Sequence, residues 1–345
     1  MSNVISKAAL VLTLGAAAAA AQPARAVADE AAFYRGKQVN LIIAAAVGGG
    51  YDLYARLVGR HLGKHIPGNP NIVPQNMLGA GGNTGAGYVF GTAPKDGTVI
   101  GAATAGVVLD AILLDKARIN HDPRKFKWIG SAASDSLICV LNKEAKAASF
   151  DDVFRQETVL GVSGGTTRDY PQLLNKVLGT KFKLITGYPG TRDVHLAMER
   201  KEVDGVCGMS FISVQSQRPE WLKQDTVRFL AQEGSVQQPD LQALKVPLTI
   251  DYAKTDDQKK VMELLYTQNI YLRPFMAPPE TPDARIEALR EAFMQTMRDP
   301  ELLAEAAKAR LAVDPRSGKE LTQVVEKIFA MPKAIHDQLR QALLE

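Results

Sequence analysis

The chain has 345 residues, 46% hydrophobic and 23% charged, with 28 glycines, 18 prolines, two cysteines and a formal net charge of +4 at pH 7. Disorder needs lower hydrophobicity and more net charge, a disulfide scaffold needs many cysteines, and collagen needs glycine at every third position, so these classes are excluded. The length favours two domains, and a charge this close to neutral argues against nucleic acid as partner.

The first 28 residues read as a secretory signal. Lys7 precedes an apolar run over residues 8–21, then come Gln22-Pro23 and an A-x-A site at Ala26-Val27-Ala28. That run falls short of the roughly 20 residues a bilayer span needs, so cleavage near Ala28 and export from the cytoplasm are expected. Removing Lys7 and Arg25 lowers the formal charge from +4 to +2. No later stretch approaches the length of a membrane span. Cys139, in an apolar run, and Cys207, in Val206-Cys207-Gly208, sit in strand-like surroundings and read first as buried thiols. Export permits a disulfide, but spacing alone cannot bring their Cα atoms together, and the pairing stays open.

Residues 39–47 are continuously apolar except for Asn40, as a strand covered on both faces requires. Gly48-Gly49-Gly50 ends it, and Leu53, Leu57, Val58, Leu62 and Ile66 then recur at helical spacing with Arg56, Arg60 and Lys64 opposite. Residues 71–75 and 97–102 read as further strands, with a glycine loop over 79–87 between them. A second alternating segment follows: strands at 159–162, 182–186 and 203–208, helices at 170–178 and 192–199. This alternation predicts an α/β fold with mainly parallel sheets flanked by helices. Two polar stretches, 131–136 and 232–239, suit crossings between domains. Beyond Pro274, helix formers occupy 282–298, 301–312 and 318–344, a helical end expected to pack mostly on the first domain. No internal repeat is visible.

The strongest chemical signal is the pair of glycine loops, Val47-Gly48-Gly49-Gly50-Tyr51-Asp52 and Asn76-Met77-Leu78-Gly79-Ala80-Gly81-Gly82-Asn83. A glycine loop feeding a helix N-terminus exposes backbone N–H groups that attract carboxylate or phosphate without a cationic side chain. Nucleotide fingerprints fail: Thr84 stands where G-x-G-x-x-G from Gly79 needs its third glycine, and no G-x-x-x-x-G-K-[ST] occurs. His61 and His65 share a helix face, but no glutamate follows His61, and Arg60 and Lys64 would repel a cation, so no metal is expected. Gly161-Val162-Ser163-Gly164-Gly165 matches G-x-S-x-G between a strand and a helix, which makes an exported serine hydrolase using Ser163 with His195 or His336 the rival reading. Arg168, after Gly164-Gly165-Thr166-Thr167, could grip a carboxylate through two hydrogen bonds or pair with Asp169. Tyr188-Pro189-Gly190 is a third loop between strand and helix.

The chain resembles the periplasmic receptors of the tripartite tricarboxylate transporter family, also called Bug-type receptors, over nearly its whole length beyond residue 28. The resemblance rests on Phe33-Tyr34-Arg35-Gly36-Lys37, Gly48-Gly49-Gly50-Tyr51-Asp52, Gln75-Asn76-Met77-Leu78-Gly79-Ala80-Gly81-Gly82 and Ala93-Pro94-Lys95-Asp96-Gly97-Thr98. In the second half it rests on residues 161–167, Tyr188-Pro189-Gly190 and Glu202-Val203-Asp204-Gly205. Two departures are Val47 and Leu78, where proline is usual.

The resemblance implies a two-domain, type II-like clamshell: domain I from residues 29–133 and 237–345, domain II from 134–236. It implies a non-enzymatic receptor without cofactor, a monomer that captures a small organic acid and delivers it to membrane transporter subunits. A receptor for a membrane sensor is the third reading. One carboxylate would sit on Val47, Gly48, Gly49 and Asp52 with Asn76, Gly79, Ala80, Gly81, Gly82 and Asn83. Gly164, Gly165, Thr166, Thr167 and Arg168, with Tyr188, Gly190 and Asp204, would close from domain II, and Ser134 from the first crossing completes the set.

Overall fold

The computed structural model describes residues 28–114 and 119–344, so the expected signal segment up to residue 27 lies outside the described residues. Eleven strands among these form two sheets. The first contains β1 (Gln38–Ile43), β2 (Asn71–Asn76), β3 (Val99–Ala102), β4 (Lys127–Ser131), β10 (Pro274–Ala277) and β11 (Arg316–Ser317), in the order β11-β4-β10-β3-β1-β2. The second contains β5 (Leu137–Asn142), β6 (Thr158–Gly161), β7 (Phe182–Ile185), β8 (Gly205–Ser210) and β9 (Val227–Glu233), in the order β7-β6-β8-β5-β9.

Five strands of each sheet follow the same plan, and β11 adds a sixth to the first. Two strands pair in parallel beside a third, and one antiparallel strand is inserted before the fourth: β10 lies between β3 and β4, and β5 between β8 and β9. The inserted strand in each case follows a crossing from the other sheet. The result is a two-domain α/β clamshell of mixed sheets flanked by helices.

The apolar run at β1 is explained by layers on both sides. Val39, Leu41 and Ile43 enter one core with Tyr54, Leu57, Val58 and Leu62 of helix α1 (Gly50–Leu62), whereas Ile42 enters the other with Val89, Val99 and Met276. Each fully buried aliphatic side chain contributes about 1.5–3 kcal/mol. Pro74 is tolerated in β2 because that strand is a sheet edge.

The remaining long helices are α2 (Gly106–Leu113), α3 (Thr166–Leu178), α4 (Thr191–Glu199), α5 (Phe211–Gln217), α6 (Asp256–Tyr266), α7 (Asp283–Thr296), α8 (Pro300–Lys308), α9 (Gly318–Ala330) and α10 (Lys333–Leu344). Two elements differ from expectation. Residues 83–87, expected as loop, are helical, and the helix expected over 318–344 is split at Met331-Pro332, because the residue before proline is driven to extended geometry, here φ −61 and ψ 149 at Met331. The split has a consequence for packing. Helices α7 to α9 flank the first sheet, but α10 turns away and packs on α3, α6 and α2, with Ile335, Leu339 and Leu343 joining Leu173, Leu174 and Leu265 in one core.

Cys139 of β5 and Cys207 of β8 are both fully buried and form a disulfide. The pairing that the sequence left open is thereby made. The cysteines lie 68 residues apart and are brought opposite each other by the antiparallel pairing of Ile138 with Met209 and Val140 with Val206, a long-range register that local sequence does not display.

Candidate ligand-binding site

The loops that follow β1, β2, β3 and β4 leave the first sheet at one edge, and the loops that follow β6, β7, β8 and β9 leave the second at the edge carrying the crossings. At the first edge Asp52, 2% exposed, is a brace. Its Oδ2 accepts from Gly48 N at 2.9 Å, and its Oδ1 accepts from Arg56 Nε at 2.9 Å and Asn76 Nδ2 at 2.8 Å. Asn76 Nδ2 also donates to Ala45 O at 2.9 Å, so both glycine loops are tied to one carboxylate. Burial pushes the Asp52 carboxyl up, but the bonds from Gly48, Asn76 and Arg56 together outweigh it and hold the group below its ordinary value. Asp52 and Asn76 therefore position the loops, and their polar atoms are engaged within the protein. Val47 and Leu78, the two departures from proline, are exposed at the loop tips.

The second loop winds through four residues of positive φ: Gly79 at 133°, Ala80 at 47°, Gly81 at 67° and Gly82 at 103°. At Gly82 a Cβ would stand 2.6 Å from Thr104 Oγ1 and 3.1 Å from Ala44 O, so both the conformation and the space require glycine. Thr104 Oγ1 donates to Gly81 O at 2.7 Å, fastening the loop to the one after β3. Asn83 is buried: its Nδ2 donates to Ala80 O at 2.7 Å and Asp110 Oδ2 at 2.6 Å, and its Oδ1 lies 2.8 Å from His121 Nε2. Burial pushes the Asp110 carboxyl up to about 6 and the His121 imidazole down to about 4. This chain of bonds holds the loop from behind.

On the second sheet, Ser163 N donates to Thr167 Oγ1 at 3.0 Å, Thr167 Oγ1 donates to Gly164 O at 2.9 Å, and Thr166 Oγ1 donates to Gly208 O at 2.7 Å. Gly208 has φ +68, and a Cβ there would meet Thr166 O at 2.0 Å. Its N–H donates to Glu233 Oε2 at 2.5 Å. Gly164 and Gly165 are exposed with nothing within 4 Å of a built Cβ, leaving the turn into α3 open. Arg168 is half exposed, and its Nε and Nη2 reach Asp169 Oδ1 at 2.8 and 2.7 Å, so its guanidinium is engaged by its neighbour. Tyr188 and Gly190 are half-buried on the loop after β7. Asp204 stands at the other end of the second sheet, where its Oδ2 accepts from Val159 N at 2.7 Å and its backbone O accepts from Asn142 N at 2.8 Å. Ser134 is bound to Asp314 through its N–H, at 3.2 Å to Asp314 O, and through its hydroxyl, so it fastens the first crossing.

The residues of the rival chemistry are not assembled. Ser163 Oγ lies 3.3 Å from Thr167 Oγ1, whereas His195 is buried against Trp221 with its Nδ1 accepting from Arg218 Nε at 3.4 Å, and His336 Nε2 lies 2.9 Å from Ile328 O. Burial and then the Arg218 charge push the His195 imidazole down to about 4. His61 and His65 face the start of α8: His61 Nε2 is 2.8 Å from Glu305 Oε2 and His65 Nε2 is 2.8 Å from Asp299 Oδ2. Lys64 Nζ lies 2.6 Å from both Asp299 and Glu301, so cations already occupy that acidic group.

Sequence reasoning missed three ionisable residues at the crossings, Glu233 and Arg273 buried and Asp135 half-buried. Asp135, after β4, accepts from Ser210 Oγ and from Ile212 N at 3.3 Å, and burial pushes it up to about 6. Glu233 closes β9 and Arg273 precedes β10. The available signal was a lone charge inside an otherwise apolar stretch, Leu230 to Ala231 before Glu233 and Leu272 to Ala277 around Arg273.

No family model matches the chain, and no curated protein matches it. Among solved structures it is similar to a TctC solute binding protein from Polaromonas, at 16% identity and TM-score 0.65, over 88% of this chain and 99% of that one. It is similar over the same shares to MatC from Rhodopseudomonas palustris with bound malate, at 18% identity and TM-score 0.64. A further R. palustris protein, with adipate, matches at 18% identity and TM-score 0.66, over 88% of this chain and 97% of that one. The fold is that of the TctC-type solute-binding proteins. In this TctC-type fold the two glycine loops and the loop at Gly164 leave their sheets at the edges that carry the crossings.

Proposed function

We propose that the protein is a periplasmic receptor that captures a small organic acid between its two domains and delivers it to a membrane transporter of the tripartite tricarboxylate type. The observation that carries this reading is the arrangement of two sheets that share a five-strand plan, with amide-rich glycine loops at the ligand-facing edge of the first and an open Gly164-Gly165 turn on the second. The malate and adipate of the similar structures are dicarboxylates of this chemistry. No helix among the described residues is long and apolar enough to cross a membrane.

In this reading Gly48, Gly49, Gly79, Ala80, Gly81 and Gly82 present backbone N–H groups to one carboxylate, and Thr166, Thr167, Tyr188 and Gly190 close over the ligand. Asp52, Asn76, Asn83 and Ser134 act one step back by holding those loops, and Asp204 and Arg168 are engaged elsewhere. Hydrogen bonds to a charged carboxylate contribute about 1.5–3 kcal/mol each, so four or five, less the cost of association, suit micromolar affinity. Domain I comprises residues 29–133 and most of 237–345, domain II residues 134–236, with α10 spanning from one to the other. The mature protein acts as a monomer after cleavage near Ala28.

The test is thermal unfolding of the protein against malate, adipate, citrate, aromatic acids and acidic amino acids. An acid at about 100 times its dissociation constant adds roughly 2.7 kcal/mol of stability. A saturable rise in midpoint confined to one acid class is expected. Labelling of Ser163 by a fluorophosphonate, abolished in Ser163→Ala, would instead favour the hydrolase, and chemical turnover of any acid would favour an enzyme over a receptor.

A further inference from the structure

Arg273 is 6% exposed, yet among the described residues no carboxylate lies within the 4.0 Å of an ion pair from its guanidinium. Its Nη1 donates to Leu272 O at 3.0 Å, its Nε has no partner, and Nη2 makes no hydrogen bond to the described residues. The guanidinium stacks over the rings of Tyr51 at 4.5 Å and Tyr54 at 5.1 Å, which fixes its plane. Asp135 feels the charge of Arg273 but makes no ion pair with it, and is held instead by Ser210 and Ile212. A buried cation normally requires a paired anion, and this one has Asp135 near enough to feel its charge but no carboxylate in contact.

The direction in which it points is given by Gly50. A Cβ built there would stand 3.1 Å from Arg273 Nη2, so the guanidinium lies against the first turn of the 13-residue helix α1. Gly49, the residue before that helix, supplies no side-chain cap, and the amides of Gly50 and Tyr51 are among those no helical carbonyl can satisfy. A fixed fork of N–H donors and the positive end of a helix thus converge next to the first glycine loop. Both favour a planar oxyanion, and the fork favours a carboxylate held by two bonds.

We propose that Arg273, together with the Gly50 and Tyr51 amides, holds a carboxylate of the ligand and is the specificity-determining cation of the receptor. This assignment rests on the receptor reading above and deepens it by requiring an ionised acid, with its amide or ester excluded. It also replaces Arg168, whose guanidinium is taken up by Asp169.

Two variants test it by calorimetric titration with malate, adipate and sodium sulfate, each measured separately. Arg273→Lys keeps the charge but removes the fork and its stacking. Gly50→Ala places a methyl group against Nη2 at a helical position where alanine is favoured, so it folds even if the first variant does not. The expected result is that whichever of these anions binds the unmodified protein loses about 10- to 100-fold in affinity in both variants. Equal affinity in the unmodified protein and Gly50→Ala overturns the role of Arg273 while leaving the receptor reading intact. Sulfate binding that is lost in the variants, with no acid of the wider panel bound, upholds the anion site and rejects the organic-acid receptor. Binding of none of the three anions, with the wider panel also silent, overturns both.

Discussion

Replacing Glu233 by glutamine should flatten the pH dependence of stability. The side chain is fully buried at the end of β9, with one oxygen accepting from Gly208 N and the other unpartnered. Around it stand the Cys139–Cys207 disulfide and the rings of Tyr170 and Tyr266, with no cation to favour ionisation. Burial therefore pushes its carboxyl up from 4.5 to about 8. Below pH 4.5 both folded and unfolded chains carry the proton and the full stability is present. Between 4.5 and 8 the unfolded chain releases it while the folded one retains it, so stability falls as pH rises, by on the order of 5 kcal/mol in total. Glutamine keeps the acceptor for Gly208 and cannot ionise. Urea unfolding of both proteins at pH 5, 6, 7, 8 and 9, followed by circular dichroism, isolates this group, because Asp110, Asp135 and His121 titrate in both. The two curves should meet near pH 5 and separate progressively, with Glu233→Gln the more stable at pH 8. Parallel curves across this range, or a variant less stable at pH 8, would refute the burial argument.

Removing the disulfide by Cys139→Ala with Cys207→Ala should cost about 4 kcal/mol, the loop-closure entropy for a separation of 68 residues, read as a lowered urea midpoint that dithiothreitol no longer shifts. An unchanged midpoint would show that the bridge constrains nothing. Gly82→Ala should cost about 1–2 kcal/mol for the left-handed backbone alone, with more from the Thr104 contact, and should weaken any acid bound to the second loop. Gly91→Ala, where nothing lies within 4 Å and φ is not positive, serves as control and should leave both binding and midpoint unchanged.

Much of the fold was legible because it is local. The apolar run of β1 and the spacing of Leu57, Val58 and Leu62 report elements covered on stated faces, and the glycine loops announce sharp turns that leave amides free. The error at the C-terminus was also local in origin: Pro332 was in plain view and divides the final helix. The function of particular site residues was less legible. Asp52 and Asn83 look like ligand contacts from their position in the loops, but their side-chain atoms bond the loops themselves. Asp204, part of a motif close in sequence to β8, lies at the end of the sheet away from the Gly164 turn.

By itself the sequence determined the alternation of strands and helices, the two glycine loops and the chemistry those loops can offer, since periodicity and backbone freedom are properties of neighbouring residues. The shared plan of the two sheets, invisible as a repeat, emerged only from strand pairing across crossings. The disulfide depended on the register of β5 against β8. Tertiary structure alone also paired Arg168 with Asp169 and left Arg273 buried on two tyrosine rings beneath Gly50. The physical reason is the same in each case: a charge or a thiol acquires its role from what the fold brings within a few ångströms of it, and those partners come from distant parts of the chain.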